Sequence, residues 1–257
     1  MTTPGTNPPR RLSEMTTEAV KSLLATGKVA VLLPVGSVEP HGPHLPLATD
    51  TILSERAAEK AIPLLAERGI LAVLGPSIPY GVTDFAAGFA GAVSLPAEAL
   101  TAFLRAVIQA YSKAGFTHVC LVNNHLEPAH DTAVRAALSD LPEGLASVAC
   151  PLTRKWARTL SAEFKSGACH AGQYETSLVL AARPDLVDAH RAHELPPVAV
   201  SLSDGIKAGK FTFAEMGMHS AYAGSPAAAT AEEGEQMYAA LAAMVAGEVE
   251  AAMSPKS

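Results

Sequence analysis

The alternation of apolar and polar positions divides the chain into strands followed by helices. Val29–Val35 is an unbroken apolar run with several β-branched residues, the pattern of a strand buried on both faces. Shorter runs at Ile70–Leu74, His118–Val122 and Ala146–Cys150 predict three more strands. Helical periodicity falls between them: Glu14–Thr26 up to Gly27, Thr51–Arg68, Pro96–Ala114, and the stretch after Pro128 to about Asp140. Further helices are predicted over Leu152–Phe164, Tyr174–Ala182 and Thr230–Met253. Residues 1–12 read as a loose arm and 13–257 as one domain. Strands alternating with helices predict an α/β fold, a mostly parallel sheet covered on both faces. Ligands in such folds sit beyond the carboxyl ends of the strands. The polar segments after Val35 and after Val122 both fall at such ends, so two distant stretches of chain should meet at one sheet edge.

Composition narrows the partners. Hydrophobic residues make up 49% and charged residues 17%, enough for a sizeable core, and the formal charge of −6 offers no broad attraction to nucleic acid or an anionic membrane. The three cysteines, Cys120, Cys150 and Cys169, have no paired spacing, which fits a reducing compartment better than a disulfide framework. No apolar run approaches the roughly 18 to 20 residues that span a bilayer, and the first residues do not form a signal peptide. The expectation is a soluble, cytoplasmic protein.

The chemistry is concentrated in three segments. Glu39-Pro40-His41-Gly42-Pro43-His44-Leu45-Pro46-Leu47-Ala48-Thr49-Asp50 places two carboxylates and two imidazoles on a loop stiffened by three prolines. Such a set suits zinc or manganese, and an ordinary solvated loop seldom carries this density of histidine. His125 and Glu127 follow the third strand two positions apart, a spacing that in extended backbone puts both on one side. His-x-Glu alone means little; its position at the same sheet edge gives it weight. In His170-Ala171-Gly172-Gln173-Tyr174-Glu175, a histidine precedes a glycine that permits close backbone approach at a helix start. That histidine is a candidate proton donor, and a core histidine is the plainer reading of it alone.

Together these segments resemble the creatininase (creatinine amidohydrolase) family. The stretch Glu39-x-His41-Gly42-x-His44-Leu45-Pro46-x-x-Thr49-Asp50 matches the family signature nearly residue for residue, and His125-x-Glu127 and His170-x-Gly172-x-x-Glu175-Thr176-Ser177 match two further motifs. Gly224-Ser225-Pro226, leading to Thr230 and Gly234, matches a fourth. The resemblance implies a three-layer α/β/α sandwich, a homohexamer, and two divalent metal ions per subunit, Zn2+ or Mn2+. It implies one ion on Glu39, Asp50 and His125 and another on His41, Asp50 and Glu127, with Asp50 bridging. The reaction implied is hydrolysis of a C–N bond in a small, possibly cyclic, amide. A deformylase or a peptide-cleaving hydrolase on the same scaffold, and a non-catalytic metal-stabilised binding protein, are the alternatives. In that reading His170 protonates the departing nitrogen, Glu127 relays the proton of water, and Glu175 orients His170 or binds a polar substrate group. His44, Tyr174 and Trp156 are the candidate substrate contacts. Creatininase proper places tryptophans over its substrate, one of them shortly before the residue matched by His170. Lys165-Ser166-Gly167-Ala168-Cys169 stands there instead, which argues against creatinine itself. Cys169 reads as a small buried residue, and His118, His130, His190 and His193 as structural or exposed. His219 is a candidate for the pocket of a neighbouring subunit.

Overall fold

The computed structural model describes residues 10–254. Four strands, β1 (Val29–Val35), β2 (Leu71–Leu74), β3 (His118–Asn123) and β4 (Ala146–Ala149), form one all-parallel sheet in the order β2-β1-β3-β4. Alternating with them and following them are α1 (Thr17–Leu24), α2 (Thr49–Glu67), α3 (Ala97–Lys113), α4 (Pro128–Ala136), α5 (Arg154–Ala157), α6 (Ala162–Ser166), α7 (Gln173–Ala182), α8 (Ala189–Glu194), α9 (Leu202–Lys207) and α10 (Ala231–Met253). Every residue of β1 and β3 is buried, as their unbroken apolar runs require. Side chains alternate across the pleat. Ala30 and Leu32 face a core shared with α2, α7 and α10, while Val29, Val31 and Leu33 face one shared with α1, α3 and α4. This is a three-layer α/β/α sandwich.

The register of β1 against β3 pairs Val35 with Asn123, so the chain leaves both strands side by side. The segment after β1 turns at Gly42, in left-handed backbone at φ 66°, where an added Cβ would lie 2.7 Å from the His44 ring. It then enters α2 with Asp50 in the first turn, where the helix dipole favours a carboxylate.

Departures from the predicted elements have local causes. The helix expected over Leu152–Phe164 is split into α5 and α6, because the Ser161 hydroxyl accepts from the Phe164 amide and starts a new helix. The helix after Pro128 stops at Ala136, short of Asp140. Of the predicted arm, residues 1–9 lie outside the described residues. Residues 10–12 are pinned: the Leu74 amide donates to the Arg10 carbonyl, and the Arg11 guanidinium pairs with Glu55 at 2.6 Å and with Glu59. The segment 183–229, which has no clear periodicity, holds α8 and α9, and its Phe213, Met216 and Met218 pack with Phe85 of the loop after β2 in a third apolar cluster. No helix among the described residues is long and apolar enough to cross a membrane.

Candidate metal centre and active site

Both strand ends deliver their chemistry to one buried point. Glu39, His41, Asp50, His125, His170 and Glu175 are each buried. His125 Nδ1 lies 3.0 Å from Asp50 Oδ2 and 3.4 Å from Glu39 Oε1. His41 Nε2 lies 3.3 Å from Asp50 Oδ1, 3.4 Å from Glu175 Oε2 and 3.7 Å from Glu39 Oε1. Donor atoms about 2.0–2.1 Å from a tetrahedral ion stand about 3.3–3.4 Å apart, longer than a charge-assisted hydrogen bond. Most of these separations therefore match ligands around a cation better than hydrogen-bonded pairs. The orphaned atoms agree: His41 Nε2 and Asp50 Oδ2 are buried without a hydrogen-bond partner. The donor set fits zinc or manganese, and it falls into the groups Glu39, Asp50 and His125; His41, Asp50 and Glu175; and Glu39, His41 and His170.

Each imidazole is aimed by a backbone carbonyl on its far side. His41 Nδ1 donates to the Glu39 carbonyl at 3.1 Å, His125 Nε2 to that of Val82 at 2.7 Å, and His170 Nε2 to that of Pro40 at 3.0 Å. A proton held on the outer nitrogen leaves the inner lone pair facing the cluster, the usual arrangement behind a metal-binding histidine. Thr83 Oγ1 donates to Glu39 Oε2 and fixes that carboxylate. His130, buried and stacked edge-on against His125 at 4.5 Å between ring centroids, accepts from the Val82 amide and so steadies the carbonyl that orients His125.

The charge balance tells the same story. Burial opposes protonation of His41 and His125, but carboxylates outweigh it: Asp50, then Glu175 and Glu39, take His41 to about 10, and Glu39 with Asp50 takes His125 well above its ordinary value. Burial likewise opposes ionisation of Asp50 and Glu39, and the His125 charge overcomes it, so both fall below the usual carboxylate range. A cation binding at these nitrogens must displace their protons. Metal uptake should therefore release protons, and its affinity should fall as pH drops below about 10, where His41 begins to hold its proton. Proton release on adding Zn2+ to metal-free protein in weak buffer measures this, and uptake without release would contradict it.

Glu127 lies outside the ligand groups. Its carboxylate accepts from the Asp84 and Phe85 amides at 3.0 and 3.1 Å, and burial raises it to about 7. Glu175, expected to orient His170 or to bind a polar substrate group, faces His41 from the first turn of α7; burial raises it to about 8, and the Ala171 amide donates to it at 2.7 Å. It stands where the resemblance placed Glu127. The close approach expected at Gly172 is present, since an added Cβ would lie 2.4 Å from the Ala223 carbonyl oxygen.

A cavity of about 290 Å³ opens over the cluster, with Glu127 and His170 on its wall. Of the candidate substrate contacts, none lines it. His44 is buried, with Nε2 2.8 Å from Thr176 Oγ1. Tyr174 lies in the core against Phe164, at 5.0 Å between ring centroids, and supports that cavity-lining ring from behind. Trp156 faces α10 and donates to Glu248 Oε1 at 2.5 Å, because the face of the α5 turn that meets the cavity is taken by Arg154, Ala157 and Arg158. The aromatic walls are Phe85, Phe164 and Phe213, the last 4.3 Å from His170 between ring centroids. Cys169 also lines the cavity, and burial pushes its thiol up to about 12, which leaves it no nucleophilic thiolate at neutral pH. His118 is buried between Gly144 and Ser147, while His190, His193 and His219 are exposed. Thr83 and Phe85 had a signal in the sequence, since their loop follows the carboxyl end of β2. Phe213 had none, lying in the segment without periodicity.

The creatininase family model, described as creatinine amidohydrolase, matches residues 13–249. The chain belongs to the creatininase family. A mycofactocin precursor peptide peptidase of Mycobacterium tuberculosis is 32% identical over 235 residues, covering 87% of this chain and 85% of that protein. A creatinine amidohydrolase of Pseudomonas putida is 28% identical over 204 residues, covering 72% and 76%. Among solved structures, a Zn-Zn type creatininase variant superposes with a TM-score of 0.75 at 22% identity over 97% of this chain and all of that one. A manganese form of creatininase gives 0.72 at 23% over 96% of this chain and all of that one. These superpositions agree with the fold described above.

Proposed function

We propose that this creatininase-family chain is a binuclear metal-dependent amidohydrolase that cleaves a C–N bond of a compact amide. The observation that carries the proposal is the cluster of two imidazoles and three carboxylates from four parts of the chain, spaced as ligands and buried at the base of a cavity. In this reading Glu39, Asp50 and His125 would hold one ion and His41, Asp50 and Glu175 the other. Bound there, the ions would acidify water and polarise the amide carbonyl.

The remaining steps fall to the chain's own groups. His170 keeps its proton on Nε2 against Pro40 and presents Nδ1, 3.6 Å from Glu39 Oε1, to the cavity. Burial and the nearby His41 charge hold it down to about 4, so it begins as a neutral base. It takes a proton from the attacking water and passes it to the departing nitrogen, so that water and amide become a carboxylic acid and an amine. Glu127, locked by two backbone amides yet facing the cavity, exchanges protons with water or anchors a polar substrate atom. Phe85 and Phe213 wall the cavity against bulk water.

The two glutamates should separate experimentally. Glu175→Gln is expected to lower the metal content of purified protein by about one ion per chain. Glu127→Gln should keep the metal and lose roughly 10²-fold in turnover. Elemental analysis beside rate measurements decides it, and equal metal loss in both variants would undo the ligand assignment.

A peptide end is favoured over creatinine as substrate by the absence of tryptophan from the cavity wall, and the similarity to a peptide peptidase points the same way. Incubating the zinc- or manganese-loaded protein with creatinine, formylamino-pyrimidines and short peptides, followed by mass spectrometry, tests the function. A new acid–amine pair supports it; binding without any product would indicate a metal-stabilised binding protein.

A further inference from the structure

The cavity changes character with depth. Acidic groups gather at its base, whereas its rim carries three cations: Arg154 and Arg158 of the α5 turn, and Lys165 of α6. None of the three has a carboxylate within ion-pair distance among the described residues. The neighbouring acids are occupied elsewhere. Glu163, on the same helix as Lys165, accepts from the Tyr174 and Ser225 amides at 2.9 and 2.8 Å. Glu248 accepts from Trp156 Nε1 and lies 3.9 Å from Lys155 Nζ. Elsewhere Arg11, Arg56, Arg68, Arg135 and Arg183 pair with carboxylates, and the described cations without such a partner, Lys21, Lys28, Arg105, Lys113 and Lys210 among them, do not line this cavity; Arg154, Arg158 and Lys165 all do. In a chain of formal charge −6, three unmatched cations around one opening are a local reversal of sign. Beside them the rim presents apolar surface, with Leu152 43% and Ile206 38% exposed.

From this arrangement we infer that the substrate is an anionic amide, in which a carboxylate next to an apolar side chain sits on the Arg154, Arg158 and Lys165 rim while the scissile C–N bond reaches the base of the cavity. The inference rests on the hydrolase reading above and names its substrate class. N-acyl derivatives of apolar amino acids and the carboxyl ends of short peptides share this chemistry. Guanidinium groups suit a carboxylate because their planar donors can engage both oxygens. The same rim steers an anion inward past the negative base, which two bound divalent ions would neutralise.

The probes are N-acetyl-leucine and N-acetyl-leucinamide, which differ in the charge at one end. Both would be titrated into the zinc-loaded protein by calorimetry and assayed for acetate release. We expect the carboxylate form to bind roughly tenfold more tightly than the amide, with the preference shrinking as salt is added. The variant combining Arg154→Gln, Arg158→Gln and Lys165→Gln should lose that preference at unchanged zinc content, and Lys165→Gln alone should lose part of it. Equal affinities in the unaltered protein, or a preference that survives the triple substitution, would overturn the inference. The two readings fail separately. A rim-dependent preference without acetate release retains the anion site and removes the hydrolase, whereas equal release from both probes retains the hydrolase and removes the anion site.

Discussion

Asp50→Ala protein is expected to purify with neither metal ion bound and with turnover reduced at least about 10³-fold. Asp50 is the one residue common to both ligand groups, with Oδ1 3.3 Å from His41 Nε2 and Oδ2 3.0 Å from His125 Nδ1. Were two cations held in this buried site, they would repel strongly, and a carboxylate shared between them would screen one from the other. Alanine removes that charge and an oxygen donor from each group. Neither Glu39 nor Glu175 can substitute, since Glu39 is tied to Thr83 and Glu175 to the Ala171 amide. Elemental analysis of the variant, folded by circular dichroism, checks this. Full metal content there would refute the bridging role.

His170→Ala should have the opposite signature: metal retained, turnover reduced by roughly 10²-fold or more. His170 meets the cluster at Glu39, 3.6 Å away, and at the His41 ring, 4.4 Å between centroids, and stands outside both groups that contain Asp50. Its orientation is set from outside, by the Pro40 carbonyl on Nε2 and by Phe213 against its ring. The loss should appear in kcat more than in KM, because proton transfer is made in the transition state. Normal kcat in a metal-replete variant would remove His170 from the reaction.

The sheet could be read from sequence because β1 and β3 are buried on both faces, and such strands leave unbroken apolar runs. The site's location could be read too, since the motifs holding His41 and His125 each follow a strand and parallel strands end together. What the sequence left open was how side chains leave the backbone once a helix starts. Glu127 stands just before α4, and its carboxylate is captured by two amides of the loop after β2, away from the partners its spacing with His125 implied. Glu175, in the first turn of α7, reaches His41 because Gly172 lets the helix start close to Ala223. Trp156, open between a pocket wall and core packing, takes its place for a similar reason: on the short α5 turn the two arginines face the cavity and the indole faces α10. Phe213 sits in a segment whose order comes from tertiary packing, with no periodic trace to find.

Crystals of the protein soaked in Mn2+ and measured at the manganese absorption edge test the central claim most directly. Two anomalous peaks are expected, one among Glu39, Asp50 and His125 and one among His41, Asp50 and Glu175, with Asp50 touching both. A single peak, or peaks away from these side chains, would contradict it.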